Sequence, residues 1–221
     1  MTIEIPSGRK GIIMGCPIPY EFFRTTGVGE NEYQIHAGSY HEAMRSAGIE
    51  LGNLIPYTSI LPEISREIPL EVGIRRIEHG AEVKVIQAAA HVDREKGEDR
   101  ATAAILYCRL IPKNSKDHRR AKGLVCEYNG NGTKEEALEN LEHCLEGLYT
   151  GPNRDGFAFS EKYDMKRTEP LIATIRPEKR FGTALAALAF VSYFIPVLEQ
   201  NVFPTDAEAS AMVQSALGRG L

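Results

Sequence analysis

The 221-residue chain is 43% hydrophobic and 25% charged, which are ordinary values for a globular protein. Its net charge of −4 and pI near 5.9 argue against a general binding surface for nucleic acids or anionic membranes. The four cysteines, Cys16, Cys108, Cys126 and Cys144, are widely spaced and form no cluster with histidine, so no metal site is predicted. Three of them lie in apolar segments, which predicts buried free thiols in a reducing compartment. Because the N-terminal residues also lack a signal-peptide pattern, we expect a cytoplasmic protein.

The N-terminal part of the chain predicts extended segments followed by one helix. Residues 11–20 and 21–26 carry apolar and β-favouring side chains, which predict strands. The glycines and asparagine of residues 27–31 predict a loop. Residues 39–47 predict a helix, because alanines and a methionine recur at helical spacing and Gly48 provides an end.

A hydroxyl pair lies at the centre of the next extended run, residues 53–62, which read Asn-Leu-Ile-Pro-Tyr-Thr-Ser-Ile-Leu-Pro. Apolar residues flank Thr58 and Ser59 on both sides. A serine in this position can attack the carbonyl carbon of the preceding residue, and an N→O acyl shift then replaces the peptide bond with an ester. The same pair also fits a strand end whose hydroxyl groups bind the backbone.

The middle of the chain predicts a β-hairpin. Residues 62–69 predict a loop, and residues 71–77 predict a single helical turn or irregular chain. Residues 81–92 and 101–111 favour β-structure and are joined by a charged connection, so they predict two paired strands. The basic residues within 112–122 could bind phosphate or a partner, but the lack of interleaved aromatic residues favours a solvated loop.

The strongest helical pattern covers residues 133–149 and follows a predicted strand at residues 123–128. Thr133 and Glu136 have the spacing of a capping box, which marks the helix start. An apolar stripe along the helix predicts a face packed on a sheet rather than on a partner helix. The stripe consists of Leu138, Leu141, Leu145 and Leu148.

The C-terminal part predicts two core strands, residues 171–175 and 181–191, and a terminal helix at residues 205–217. The uncharged run 181–198 is long enough to suggest a membrane span, but its glycine, proline and hydroxyl residues favour a buried element of a soluble core. No linker is evident, so we predict one domain over residues 1–221. Strands combined with a few helices predict an α+β fold with a mainly antiparallel sheet covered by helices.

The run at residues 53–62 resembles the self-cleavage site of the pyruvoyl-dependent arginine decarboxylase family, and its Pro-Tyr-Thr-Ser variant is similar to the chlamydial branch. The resemblance implies a cut between Thr58 and Ser59, which would give a β chain of residues 1–58 and an α chain of residues 59–221. It also implies that Ser59 becomes a pyruvoyl group, the cofactor that forms a Schiff base with an amino-acid substrate. The expected reaction converts arginine to agmatine and CO2, a step of polyamine metabolism.

Two further residues take roles from the same resemblance. The segment Gly-Leu-Val-Cys-Glu-Tyr at residues 123–128 is similar to the family segment that contains the proton donor, which places Glu127 in that role. Otherwise Glu127 would be an exposed strand glutamate. Asn53 matches a family asparagine and is expected to polarise the Thr58 carbonyl during processing. Its alternative is an Asx-turn after Gly52.

The resemblance extends over residues 39–190 and leaves the tail, residues 204–221, uncovered. It implies an αββα sandwich. It also implies trimers, or hexamers of cleaved protomers, with sites between protomers. The expected partners are therefore a small amino acid and further copies of the chain, with no nucleic acid and no membrane.

One departure from the family concerns the substrate. The family has an aspartate that binds the substrate guanidinium on the helix before the cleavage site, and His41 stands there in this chain. An imidazole does not replace a carboxylate opposite a guanidinium, although Glu50 lies nearby in sequence and could supply the charge. Two alternatives therefore remain: the same chemistry on another amino acid, and an unprocessed, non-catalytic homologue.

Overall fold

Two five-stranded sheets form the centre of the protein in a computed structural model that describes residues 3–4, 10–11, 15–114 and 121–195. The strands are β1 (Ile3–Glu4), β2 (Lys10–Gly11), β3 (Ile18–Pro19), β4 (Glu21–Asn31), β5 (Asn53–Pro56), β6 (Ile60–Leu61), β7 (Arg66–Glu67), β8 (Glu82–Asp93), β9 (Ala101–Pro112), β10 (Lys122–Gly130), β11 (Tyr163–Arg167), β12 (Leu171–Ile175), β13 (Phe181–Phe190) and β14 (Tyr193–Phe194). The helices are α1 (His41–Ser46), α2 (Leu70–Ile74), α3 (Lys134–Thr150) and α4 (Phe159–Lys162).

The chain divides into two units by its internal contacts. The larger unit, residues 19–193, contains both large sheets and every residue predicted for the active site. Among the described residues, the smaller unit contains 3–4, 10–11, 15–18, 194 and 195, and within it β1 and β2 form an antiparallel pair.

The two large sheets are mainly antiparallel. The first has the strand order β5-β8-β13-β4-β7, with β13 antiparallel to both neighbours and the short edge strands β5 and β7 parallel to theirs. The second has the order β11-β9-β10-β6, and β12 also pairs with β9, all antiparallel. The predicted antiparallel core is confirmed.

Three hydrophobic clusters define four layers. The central cluster lies between the sheets and includes Phe22, Ile86, Val125 and Leu188. A second cluster joins the outer face of the first sheet to α1, and a third joins the outer face of the second sheet to α3. An αββα sandwich results, as the resemblance implied.

Strand β13 accounts for most of the uncharged run at residues 181–198. All ten of its residues are buried, because β4 and β8 flank it and other layers cover both faces. In the part of the chain that the structure describes, no helix is long and apolar enough to cross a membrane. The prediction of a buried core strand is confirmed for residues 181–190.

The predicted hairpin of residues 81–92 and 101–111 is wrong, although both strands exist. Strand β8 pairs with β5 and β13 in the first sheet, whereas β9 pairs with β10, β11 and β12 in the second. The two strands therefore face each other across the central cluster instead of exchanging backbone hydrogen bonds. Alternation of apolar residues favours strands but does not distinguish a paired neighbour from a facing one.

The predicted loop at residues 27–31 is also wrong, because β4 continues through Asn31. Its glycines serve close packing rather than a turn. A Cβ atom on Gly27 would lie 2.0 Å from the Ala43 carbonyl oxygen, and one on Gly29 would lie 2.4 Å from the Ser39 carbonyl oxygen. Glycine at these positions therefore lets α1 and the turn before it lie directly on the strand.

The predicted helices are largely confirmed. A distorted helical segment, Ile35–Tyr40, leads into α1, and Gly48 follows the helix with a φ of +72° that favours glycine. At the start of α3 the Thr133 hydroxyl accepts from the Glu136 N–H at 3.2 Å, and the Glu136 carboxylate accepts from the Thr133 N–H at 2.7 Å. The α3 face packs on the second sheet as predicted, although Leu148 is 47% exposed beyond the sheet.

The remaining predictions have mixed outcomes. The 62–69 loop contains β7, and the helical turn near residue 71 is α2. Cys108 and Cys126 are buried free thiols, but Cys144 faces solvent from α3 and Cys16 is exposed, so the prediction of three buried thiols is only partly correct. The predicted terminal helix and residues 115–120 of the basic loop lie outside the described residues.

A buried carboxylate ties the ends of several elements of the first sheet together. Glu21, at the start of β4, accepts hydrogen bonds from Arg66 at 2.5 Å, from the Ser192 hydroxyl at 2.9 Å and from Arg76. The hydrogen bond from Arg66 lowers the pKa of Glu21 to about 2. Because that pKa lies below the ordinary value of 4.5, the stabilisation is complete above about pH 4.5 and is lost as the pH falls toward 2.

Replacing Glu21 by glutamine should therefore lower the free energy of unfolding by about 1–3 kcal/mol at pH 7 and by less at pH 3. Urea unfolding at both pH values measures this difference. A Ser59→Ala background excludes any cut at the predicted cleavage site, and Glu142→Gln on the exposed side of α3 is the control. Equal losses at pH 7 and pH 3 would contradict the assignment.

Candidate active site

The run at residues 53–62 crosses from one sheet to the other. Strand β5 is an edge strand of the first sheet, and the Tyr57 N–H just after it still bonds the Val85 carbonyl at 2.7 Å. Strand β6, which begins at Ile60, pairs with β10 in the second sheet. Thr58 and Ser59 are thus the link between two anchored strands, one in each sheet.

The backbone forms a tight turn at this link. The Ile60 N–H donates to the Thr58 carbonyl oxygen at 2.8 Å, which closes a three-residue turn centred on Ser59. The Ser59 carbonyl in turn accepts from the Val125 N–H of β10 at 3.0 Å. The Thr58 carbonyl, which the acyl shift would use, is therefore already polarised by a backbone donor.

Ser59 and Glu127 meet at this turn although they are 68 positions apart in sequence. The Ser59 hydroxyl donates to the two carboxylate oxygens of Glu127 at 3.0 and 3.2 Å. Both side chains are half-buried. Burial raises the pKa of Glu127 above its ordinary value, and the hydrogen bond from Ser59 opposes that rise.

The direction of Glu127 follows from the alternation of β10. Val125 belongs to the central cluster between the sheets, whereas Leu124 and Cys126 belong to the cluster under α3. Glu127 is two residues beyond Val125, so it points to the space between the sheets. A carboxylate with a raised pKa at this position can accept a proton from the serine hydroxyl and can later return one.

The structure does not place the Asn53 amide on the Thr58 carbonyl. Asn53 begins β5, and its side-chain N–H donates to the Gly80 carbonyl at 2.9 Å. The backbone donor of Ile60 occupies the Thr58 carbonyl instead. Among residues 15–114 and 121–195, no backbone N–H donates to the Asn53 side-chain oxygen, so the alternative of an Asx-turn after Gly52 is not formed either. The role of Asn53 in processing stays a prediction.

His41 and Glu50 lie apart from the serine in the larger unit. His41 is exposed at the first position of α1, which packs on the outer face of the first sheet. Glu50 is half-buried in the turn that follows this helix. No hydrogen bond or ion pair within residues 15–114 and 121–195 connects either of them to Ser59 or Glu127.

Arg109 holds the segment after the link and carried no signal in the sequence. Its guanidinium donates to the Pro62 carbonyl at 3.2 Å, and to the hydroxyl and carbonyl of Ser65 at 3.0 and 2.8 Å. These hydrogen bonds fix the chain just beyond β6. A lone arginine in a strand gives no indication of which carbonyl groups it will meet.

A lysine beside the link was also missed. The Lys84 ammonium lies 5.6 Å from the ring centre of Tyr57 and 4.8 Å from that of Tyr193. The sequence could have indicated it only through the alternation of β8, which places a lysine among residues that face the space between the sheets.

On the other side of β6, a cavity of about 350 Å³ has mostly apolar walls that include Ile60, Leu124 and Phe159.

Comparisons with known proteins identify the family of this chain. Residues 21–194 match the family model described as pyruvoyl-dependent arginine decarboxylase. The chain is 29% identical over 177 residues to pyruvoyl-dependent arginine decarboxylase 2 of Archaeoglobus fulgidus, covering 79% of this chain and 98% of that protein. It is also 29% identical over 195 residues to pyruvoyl-dependent arginine decarboxylase AaxB of Chlamydia abortus, covering 81% of this chain and 94% of that protein. The protein of the same name from Chlamydia pneumoniae is 25% identical over the same length.

The environment of Glu127 predicts how its carboxyl group titrates. In a Ser59→Ala chain the hydrogen bond that lowers the Glu127 pKa is absent, so burial should raise this pKa clearly above 4.5. Carbon NMR of the glutamate carboxyl groups measures the titration, and the signal lost in Ser59→Ala/Glu127→Gln identifies the residue. Exposed Glu142 is the reference. A Glu127 that titrates at or below 4.5 would show that burial does not govern it.

Proposed function

The chain belongs to the pyruvoyl-dependent arginine decarboxylase family, whose members are carboxy-lyases with a covalent pyruvoyl group formed from a serine, and on this premise we propose that it cuts itself at Ser59 and converts arginine to agmatine. The observation that carries the proposal is the hydrogen bond from the Ser59 hydroxyl to Glu127. It joins a nucleophile that follows a peptide carbonyl to a carboxylate with a raised pKa.

Self-cleavage begins with the serine hydroxyl. Glu127 takes the hydroxyl proton as the Ser59 oxygen attacks the Thr58 carbonyl carbon, whose oxygen is held by the Ile60 N–H. The C–N bond then breaks, the proton passes to the amide nitrogen, and an ester remains. Loss of the Ser59 α-proton and of the ester oxygen cuts the chain, and hydrolysis of the resulting dehydroalanine releases ammonia.

The anchoring of the link on two sheets suits this reaction. After a cut, the β-chain end stays bound to Val85 in the first sheet through Tyr57. The α-chain end stays bound to β10 through β6, on the strand that carries Glu127. Both new ends therefore keep their places, and the residue derived from Ser59 remains beside its proton donor.

Glu127 also serves the decarboxylation in this proposal. When bound, the pyruvoyl group supplies an electron-withdrawing carbonyl that accepts the electrons left as CO2 departs. The former α-carbon then needs a proton, and a carboxyl group whose pKa is raised by burial holds one at higher pH than an exposed glutamate. The presence of Thr58, Ser59 and Glu127 together favours an active enzyme over the non-catalytic homologue.

Arginine is the proposed substrate because the relatives carry it in their names. A second candidate is the same reaction on another amino acid, favoured by the exposed His41 in place of an aspartate. Glu50, half-buried near the end of α1, is the proposed source of the missing charge. His41 belongs to α1, which packs on the outer face of the first sheet, whereas Ser59 lies at the link between the sheets. A site that contains both residues would therefore use His41 from one protomer and Ser59 from another, as in the proposed trimer or hexamer. We also propose that the protein is cytoplasmic.

Ser59→Ala should yield a single full-length polypeptide without decarboxylase activity, because the attacking hydroxyl is gone. The wild-type protein should yield two fragments, and an amine with borohydride should label the fragment that begins at residue 59. Intact-mass spectrometry measures both results, and Ser160→Ala in α4 is the matched control. An uncut wild-type chain, or a cut Ser59→Ala chain, would contradict the proposal.

His41→Asp should raise kcat/KM for arginine about 10-fold or more, because a carboxylate pairs with a guanidinium and an imidazole does not. Glu50→Gln should lower it if Glu50 supplies the charge in the wild-type protein. CO2 release from arginine, ornithine, lysine, histidine and aspartate compares the substrates, and His41→Asn is the uncharged control. An equal gain for aspartate and arginine would rule out charge pairing as the cause.

A further inference from the structure

A lysine held between two aromatic rings lies next to the cleavage link. The Lys84 ammonium is 4.8 Å from the Tyr193 ring centre and 5.6 Å from that of Tyr57. The backbone N–H of Lys84 donates to the Tyr193 hydroxyl at 3.3 Å. Within residues 15–114 and 121–195, no carboxylate lies within ion-pair distance of this ammonium. Two rings stabilise the charge without neutralising it.

The register of the first sheet directs Lys84 into the space between the two sheets. On β8 the even-numbered Ile86 and Ala88 belong to the central cluster, so Lys84 points to the space between the sheets. Glu127 points into the same space from β10, which lies against β8. Tyr57, whose ring Lys84 covers, is the residue directly before Thr58.

We propose that the Lys84 ammonium stabilises the Thr58 carboxylate that leaves the Cβ atom of Ser59 when the chain is cut, an inference that rests on the proposed function. In this step the Ser59 α-proton passes to the Glu127 carboxylate, which the acyl shift has left unprotonated, and the electron pair of the broken C–H bond forms a Cα=Cβ double bond. The Cβ–Oγ bond breaks, and its electrons stay on the oxygen, which becomes part of the Thr58 carboxylate. No oxidant or reductant takes part.

The charges of the step explain why a lysine is placed here. Neutral ester becomes carboxylate, so negative charge develops on the Thr58 side of the breaking bond. A fixed positive charge in a half-buried position stabilises that charge more than water does. After the cut, the new C-terminus of the β chain has a counter-ion beside the ring of its own Tyr57.

Lys84→Met should slow the conversion of the ester to the cut chain by about 10- to 100-fold, and Lys84→Arg should restore most of the rate. Pulse-labelled protein, followed over time on denaturing gels, shows how quickly the full-length chain disappears. Hydroxylamine splits the ester and releases a fragment with serine at residue 59, which mass spectrometry distinguishes from the pyruvoyl fragment. More of this serine fragment is expected from Lys84→Met than from the wild-type chain.

Lys162→Met is the matched control, since the Lys162 ammonium also covers a ring, that of Phe157 at 3.4 Å, but lies on α4. It should mature at the wild-type rate. Slow maturation of Lys84→Met without extra ester would overturn the inference, because a misfolded chain forms no ester. Wild-type maturation of Lys84→Met would overturn it as well while leaving the proposed function intact. An uncut wild-type chain would instead overturn both.

Discussion

The pairing of β6 with β10 is the constraint on which the site depends. It brings the Ser59 carbonyl to the Val125 N–H and thereby puts the Ser59 hydroxyl 3.0 Å from Glu127. Strand β6 alone would not hold Ser59 in this position, because it is only two residues long and, among the described strands, pairs only with β10. The hydrogen bonds from Arg109 hold the chain immediately after it and compensate for the short strand.

In the sandwich, the bond that we propose is cut lies at a link between sheets rather than within a strand. A peptide bond inside a sheet has both its carbonyl and its N–H committed to neighbouring strands. At the link, the local Ile60 N–H donates to the Thr58 carbonyl and the Thr58 side chain is exposed, so the neighbouring Ser59 hydroxyl has room to approach the carbonyl carbon. The edge strands β5 and β6 anchor the two sides of the link, and they would limit the movement of the new ends after the proposed cut.

Several charged side chains are directed into the space between the sheets, including Arg24 and Arg109, which lie over the rings of Tyr107 and Phe22. Glu127 enters it from β10, and Lys84 enters from β8 between two tyrosine rings. The central cluster around them is apolar, which raises the Glu127 pKa and strengthens any pairing with a new negative charge. Membership of the family implies the cofactor and the reaction class, whereas the role of Lys84 is inferred from its packing against Tyr57 and Tyr193.

By itself, the sequence determined the local elements and their chemistry: the capped helix α3, the buried strand β13 and the hydroxyl pair at Thr58 and Ser59. Each depends on neighbours within a few residues, through capping, periodicity or a motif. Only the tertiary structure decided that β8 faces β9 instead of pairing with it, that α1 rests on the glycines of β4, and that Lys84 covers Tyr57. These arrangements depend on contacts between distant segments, because strand alternation specifies a buried face but not the partner that covers it.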